Sequence, residues 1–307
     1  MTRVSHLPYV SFLPPGRRNN LVDPESTWWS WHGHRVHVAR ARRPDAAIRL
    51  LVVHGAGGHS GVLWPLAALV AGRGLDVTSL DLPLYGLTEV PDRKSVRYDD
   101  WVRLLVDFVA AEDDGRPLLL LGASIGGLLA LEVAARSTHV SQVMATCLLD
   151  PSDWRGMVRM TRFGPLGVLG RPLSRLVERR WAGSALARTM IPIGWVANLA
   201  RMSRNPALSR LCATDPLGGG ARVPLGFLTS YVAYRHTSPE RLATPVTLVH
   251  PSHDDWTPVE LSVRVLARVA APTSMVLLRE CGHFPVEEPG LGDLLETIDV
   301  IVADLAD

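Results

Sequence analysis

Lysine is all but missing from this chain. Lys94 is the only one among 307 residues, so arginine carries nearly all of the positive charge. The balance of 32 basic against 30 acidic side chains, a formal +2, lacks the large basic excess of a nucleic-acid binder, and no nucleic-acid partner is expected. Cysteine is scarce as well. Cys147, Cys212 and Cys281 are far apart, odd in number and form no CxxC pair. That excludes a disulfide framework and a zinc cluster and points to a reducing, cytoplasmic setting. Repeats and low-complexity tracts are absent. With 47% hydrophobic and 20% charged residues, the chain is not disordered, a coiled coil or collagen-like. The opening MTRVSHLPYVSFLPPGRR has no apolar run long enough for the core of a signal peptide. The longest apolar stretch, Leu118 to Ala135, has the length of a membrane span. The Gly-Ala-Ser-Ile-Gly-Gly in its middle and Glu132 near its end read instead as a buried strand, a tight turn and a buried helix.

What is present is an alternation. Trp28–Trp31 and Arg35–Ala39 read as two strands around a His32-Gly33 turn, after an irregular segment 1–24. Ile48–His54 is a continuous aliphatic run, the pattern of a strand covered on both faces. A helix from Trp64, a strand over Leu75–Leu82, a helix over Asp99–Ala111, a strand over Pro117–Leu121, a helix over Gly126–Arg136 and a strand over Val140–Leu149 follow. Residues 151–243 break the pattern and read as helical pieces divided by Pro and Gly, among them Gly164-Pro165. The alternation then resumes with a strand over Val246–His250, a helix over Val259–Val269, a strand over Ser274–Arg279 and a helix over Leu291–Leu305. Strands alternating with helices predict a mostly parallel, doubly wound α/β sheet. The chain thus divides into a core over 1–150, a helical insertion over 151–243 and a second core part over 244–307. The insertion is expected over the carboxyl ends of the strands, where open sheets of this kind bind ligands.

Gly122-Ala123-Ser124-Ile125-Gly126 fits G-x-S-x-G between a four-leucine run and an apolar helix. That context is the strand–turn–helix in which a serine sits at a strained tip above the sheet, with glycines where side chains would collide. A serine needs a base to become nucleophilic. His283, in the loop between the last strand and the last helix, is placed to supply it. His250 lies inside a strand and His253 in the loop that holds the acid. The acid follows the Val246–His250 strand, in Pro251-Ser252-His253-Asp254-Asp255-Trp256-Thr257-Pro258. Asp254 or Asp255 can orient the imidazole there, and Asp150 at the end of the sixth strand is a third candidate. An acyl-transfer site also needs two N–H donors for the developing oxyanion. Ile125 supplies one. Ala56, in His54-Gly55-Ala56-Gly57-Gly58, supplies the other. That loop lacks both the Lys-Ser/Thr ending of a P-loop and the G-x-G-x-x-G spacing, so it is not read as a nucleotide site. His54, Gly55, Gly57, Trp256 and Phe284 are expected to line the substrate pocket.

Together these residues resemble the α/β-hydrolase superfamily, and within it the monoacylglycerol lipase and lysophospholipase-type serine hydrolases. The match spans 48–150 and 244–290. His54-Gly55-Ala56-Gly57-Gly58-His59-Ser60-Gly61 is close to that branch's oxyanion-loop motif. Asp81-Leu82-Pro83-Leu84-Tyr85-Gly86 is similar to the D-x-P-G-x-G turn, with Leu84 in place of a glycine. His250, Asp254 and Pro258 match an H-G-x-x-D-x-x-x-P acid loop, which favours Asp254, while Pro251 and Ala123 depart from the family's usual glycine and histidine. The resemblance implies an α/β-hydrolase fold with a lid inserted after the sixth strand. It also implies a Ser124–Asp254–His283 ester hydrolase that uses no cofactor and no metal. The same triad would serve a thioester, a lactone, an amide or a carbon–carbon bond next to a ketone. A non-catalytic ligand receptor on the same fold is the further alternative.

The insertion has its own character. Residues 151–222 hold twelve arginines against Asp153, Glu178 and Asp215, a net of +9 that leaves −7 for the rest of the chain. Arg155, Arg159 and Arg162 share a helical face, and Leu173, Leu176 and Val177 lie opposite Arg171 and Arg175. Such helices suit an anionic membrane surface or an acidic substrate. The plainer expectation is a solvated arginine face with its aliphatic residues packed on the core. Met157, Met160, Trp181, Met190, Trp195 and Met202 suggest the wall of a large apolar pocket, and hence an apolar acyl chain. A monomer and a homodimer are both compatible with the sequence.

Overall fold

In the computed structural model the protein is described over residues 6–161, 166, 169–181 and 183–306. Arg162, the Gly164-Pro165 break and the Met160 side chain fall outside the described residues. The chain opens with a short helix α1 (Leu7–Val10) and the hairpin β1 (Glu25–Trp31) and β2 (His34–Ala41). There follow β3 (Arg49–Val53), α2 (Ser60–Ala71), β4 (Asp76–Leu80), α3 (Tyr98–Ala111), β5 (Leu118–Gly122), α4 (Ile125–Arg136) and β6 (Gln142–Ala145). The stretch Leu118–Ala135 is thus divided between a strand and a helix. Among the described residues no helix is long and apolar enough to cross a membrane.

Between β6 and the next strand of the sheet lie α5 (Trp154–Met160), α6 (Gly170–Trp181), β7 (Met190–Pro192), α7 (Pro206–Thr214), β8 (Arg222–Pro224) and α8 (Leu225–Ala233). β7 and β8 pair antiparallel in a ribbon of their own, which the sequence reading of helical pieces did not include. Each strand ends on a proline, and Ile191-Pro192, read as a break between helical pieces, closes β7 instead. The chain then returns as β9 (Val246–Pro251), α9 (Val259–Leu266), β10 (Thr273–Leu278) and α10 (Gly290–Ala306).

The eight strands of the main sheet run in the order β1-β2-β4-β3-β5-β6-β9-β10. β2 is antiparallel to both neighbours, and from β4 to β10 every pairing is parallel. The order reverses between β3 and β5, so the loops leaving their carboxyl ends diverge and open a crevice there. β3 and β5 are buried at every position, which is why they read as unbroken aliphatic runs. One face of the sheet is covered by α3 and α4. The stripe Trp101, Leu104, Leu105, Phe108 and Val109 of α3 is buried there at helical spacing. The other face is covered by α2 and α10, through residues such as Trp64, Val70, Leu294 and Ile298. Each such side chain stabilises the fold by about 1.5–3 kcal/mol relative to exposure.

Two local details bear on the sequence reading. Leu84, where the resembling turn has glycine, is buried and holds φ at +87°, a conformation that disfavours any Cβ. On α6 the expected inward packing of aliphatic residues holds for Val177, whereas Leu173 and Leu176 are 59% and 45% exposed. α6 is anchored to α8 instead, where the Thr229 hydroxyl donates to Glu178 at 2.5 Å.

Candidate active site

The crevice is built by three loops. The first leaves β5. Ser124 follows Gly122-Ala123 and precedes α4, with φ 58° and ψ −129°, outside the regions an L-residue adopts freely. The turn is held by its own backbone. The Gly126 N–H donates to the Ala123 carbonyl at 2.9 Å and the Gly127 N–H to the Ser124 carbonyl at 2.8 Å. The Ser124 N–H donates to the Thr146 hydroxyl at 3.0 Å. A Cβ on Gly122 would stand 2.1 Å from the Gly126 carbonyl oxygen, so this turn admits no side chain there.

The second and third loops bring the partners. His283 Nε2 lies 3.0 Å from Ser124 Oγ, and its Nδ1 lies 2.7 Å from Asp254 Oδ2. Both His283 and Asp254 are buried. The other carboxylate oxygen, Asp254 Oδ1, accepts the N–H groups of Trp256 at 2.9 Å and Thr257 at 2.8 Å. The Thr257 hydroxyl donates to Oδ2. Burial by itself would raise this carboxyl. The His283 imidazole and the hydrogen bonds from His283 and Thr257 outweigh it and bring Asp254 down to about 2. An ionised Asp254 only accepts, so Nδ1 of His283 carries the hydrogen and Nε2 turns a lone pair toward the serine hydroxyl.

The other candidates lie apart. Asp255 is exposed, and its backbone carbonyl accepts from Arg201. Asp150 holds the N–H and hydroxyl of Ser152 at 2.7 and 2.6 Å. His250 is buried in β9 with Nδ1 on the Pro251 carbonyl, and His253 is exposed beside Ser252. All three cysteines are free and buried. Burial pushes Cys212 and Cys281 up to about 12 and Cys147 well up too, so none offers a thiolate.

The loop after β3 faces the start of α4. A Cβ on Gly55 would lie 2.9 Å from Ser124 Cβ and 3.2 Å from the Ile125 nitrogen, so the approach requires glycine. Ile125 opens α4, where a helix leaves its first N–H groups without intrahelical partners. Ala56 and Ser124 both line two apolar cavities that meet at the serine. One is walled by Ile125, Met157, Ile193, Phe227, Tyr231 and Trp256, mostly from the inserted segment. The other lies toward the core and includes Val62, Leu66, Met202, His283 and Phe284.

Of the residues expected in the pocket, Trp256 lines the first cavity and His54, Gly55, Gly57 and Phe284 line the second. His54 has no nitrogen to spare for a ligand. Its Nδ1 bonds the Gly55 carbonyl and its Nε2 accepts the Leu82 N–H at 2.9 Å. Burial holds its imidazole down at about 4, so it is a neutral brace for the loop. Trp181 and Trp195, read as pocket wall, are 45% and 66% exposed, and neither lines the cavities. Thr146 and Thr257 were not singled out from sequence. Thr257 stands within the acid loop, so a donor sought beside the carboxylate would have found it. Thr146 is 22 residues from Ser124 and carries no local signal.

Comparison with known proteins follows the same outline. The sequence model described as the alpha/beta hydrolase family matches residues 50–291. No curated protein matches the chain. Among solved structures, a monoacylglycerol lipase from Paleococcus ferrophilus is 22% identical with a TM-score of 0.64, over 88% of this chain and 98% of that one. A soluble variant of the Saccharomyces cerevisiae monoglyceride lipase, in complex with a substrate analog, is 15% identical with a TM-score of 0.71, over 92% and 97%. A thioesterase domain from the curacin biosynthetic pathway is 16% identical with a TM-score of 0.58, over 91% and 100%. At these identities the likeness is one of fold.

Proposed function

The chain belongs to the alpha/beta hydrolase family, and from that premise we propose that it is a serine hydrolase cleaving carboxylic esters of apolar acyl groups through an acyl-enzyme. The observation that carries this reading is the row Ser124–His283–Asp254, with spacings of 3.0 and 2.7 Å, at the junction of two apolar cavities. His283 Nε2 takes the proton of Ser124 as Oγ bonds to the ester carbonyl carbon. The carbonyl π electrons move onto oxygen, and the N–H groups of Ala56 and Ile125 receive that charge. As the tetrahedral intermediate collapses, the C–O bond to the alcohol breaks and His283 returns the proton to the departing oxygen. Water then repeats the cycle on the acyl-enzyme. Asp254 holds the imidazole in the tautomer this needs and balances its charge once protonated.

Residues 151–243 act as a cap in this reading, because they supply most of the wall of the first cavity. A fluorophosphonate probe tests nucleophile, base and oxyanion hole together. Stoichiometric labelling of Ser124 is expected, with faster turnover of p-nitrophenyl esters as the acyl chain lengthens from acetate. The same triad would attack a thioester or a lactone, and a panel of these at matched chain length ranks the alternatives. Absence of labelling, with no turnover of any member, would leave a non-catalytic ligand receptor.

The cap also supports peripheral contact with an anionic lipid surface. Trp154, Leu169, Leu173 and Leu176 are each at least 45% exposed. They stand among exposed Arg175, Arg179 and Arg180, and the Arg155 guanidinium lies 4.7 Å above the Trp154 ring. Co-sedimentation with vesicles containing phosphatidylglycerol is expected to exceed that with neutral vesicles, and both raised salt and Leu173→Asp should reduce it. Equal recovery from both vesicle types would remove the membrane from the account.

A further inference from the structure

Asp215 sits where the inserted segment reaches the loop that carries Ala56, yet it lines neither cavity. The link between them is His59, which follows that loop and begins α2. Its Nδ1 accepts the Gly61 N–H at 3.1 Å and so caps the helix. The ring proton is therefore on Nε2, which donates to Asp215 Oδ2 at 2.9 Å. The same oxygen accepts the Tyr9 hydroxyl at 2.5 Å, and Oδ1 accepts the Leu217 N–H at 2.9 Å. Burial would raise this carboxyl, but the hydrogen bonds from His59 and Tyr9 outweigh it and bring it to about 2. His59 is almost fully buried and the Asp215 side chain is 13% exposed, so the contact is shielded from water.

The backbone around Asp215 presses on the same loop. The Asp215 carbonyl accepts the N–H groups of Gly218 and Gly220 at 3.0 and 2.8 Å, which bends residues 215–220 into a turn. A Cβ on Gly218 would stand 2.5 Å from the Gly57 carbonyl oxygen. One on Gly57, whose φ is +76°, would meet Gly219 Cα at 3.3 Å. The segment bearing Ala56 is thus fixed at its start by His54, through the Leu82 N–H, and at its end by His59, through Asp215.

We propose that Asp215 is a positioning residue of the oxyanion hole, holding through His59 the direction of the Ala56 N–H. This rests on the hydrolase reading above. A ground-state ester lies in cavities that Asp215 does not line, whereas the oxyanion forms only on the way to the tetrahedral intermediate. The loss on removing the link therefore falls on kcat and spares KM.

The test compares Asp215→Ala, Asp215→Asn and His59→Asn with wild type, on the best p-nitrophenyl ester and on a trifluoromethyl ketone of the same chain length. The ketone adds Ser124 to form an oxyanionic hemiketal. His59→Asn keeps a side chain that caps α2 and removes only the reach to Asp215. Rates are normalised to active sites titrated with fluorophosphonate, so partial unfolding does not enter. Asp215→Ala and His59→Asn are expected to lower kcat by about 10- to 100-fold, less than the loss of a whole oxyanion donor, because the Ala56 N–H is misdirected rather than removed. KM should stay within about twofold, and the ketone's Ki should rise in step with the loss in kcat. Asp215→Asn offers one acceptor oxygen where donors converge on both carboxylate oxygens, so it should recover at most part of the loss, and the Asp215→Ala, His59→Asn double variant should be no worse than the poorer single. Unchanged kcat per titrated site, or a rise in KM without a rise in Ki, overturns the proposal while leaving the hydrolase reading in place. Should Asp215→Ala not fold, His59→Asn decides on the same criteria. A wild type that neither labels nor turns over any ester overturns both.

Discussion

Replacing Ser124 by alanine is expected to lower ester turnover by about 10⁴-fold or more, the scale on which triads fail when a member is removed. The fold should survive. Alanine keeps the Cβ, so the backbone at φ 58° is no more strained than before, and the neighbouring turn is held by main-chain bonds from Gly126 and Gly127. What is lost is the contact of 3.0 Å between Oγ and His283, worth about 0.5–1.5 kcal/mol. Urea denaturation should therefore place Ser124→Ala within about 1.5 kcal/mol of wild type while activity disappears. A variant that folds and keeps its rate would remove the nucleophile from the proposal, and with it the acyl-enzyme.

The second large effect concerns the acid. Asp254→Asn is expected to cost about 10⁴ in kcat, because the amide inverts the hydrogen-bond logic at His283. Two backbone N–H groups, from Trp256 and Thr257, converge on Oδ1 and hold an oxygen there. The amide nitrogen of an asparagine is thereby directed to the position of Oδ2, where it would meet the Nδ1 hydrogen of His283 and the Thr257 hydroxyl, donor against donor. The imidazole can relieve this by moving its proton to Nε2, and a protonated Nε2 is no base for Ser124. Asp255→Asn and Asp150→Asn should remain within about twofold of wild type, since neither carboxylate faces the imidazole. Steady-state kinetics of the three variants on one ester decides the matter. A large loss at Asp150 or Asp255 with a small one at Asp254 would move the acid elsewhere.

Much of the frame was legible because both faces of the central strands are covered. β3, β5 and β9 read as aliphatic runs for that reason, and their observed limits fall within a residue or two of the reading. Hydrophobicity misled where burial outlasts hydrogen bonding. Val140–Leu149 reads as one strand, yet β6 ends at Ala145 while Cys147, Leu148 and Leu149 stay buried in a loop. α2 begins at Ser60, before the expected Trp64, because the side chain of His59 caps it, and Pro65 lies inside the helix. In the site, Ser124, Asp254 and His283 were singled out from a glycine-bounded turn and from the loops that follow later strands. The structure places them in one hydrogen-bonded row. The choice among Asp150, Asp254 and Asp255 needed coordinates, or the resemblance, because every one of them ends a strand or follows it. His59 and Asp215 are 156 residues apart, and no periodicity or motif joins residues at that separation.

β6 and β9 are parallel neighbours, with Val143 opposite Val246. The excursion between them is therefore a crossover of ordinary kind, enlarged on its way, and among the described residues no rung of the main ladder passes through it. A chassis of this sort can accept a longer, shorter or borrowed excursion without re-pairing any strand. On the proposed function, a graft there is expected to exchange appetite, provided the transplant brings a carboxylate to the place where the native one meets the histidine at the head of α2.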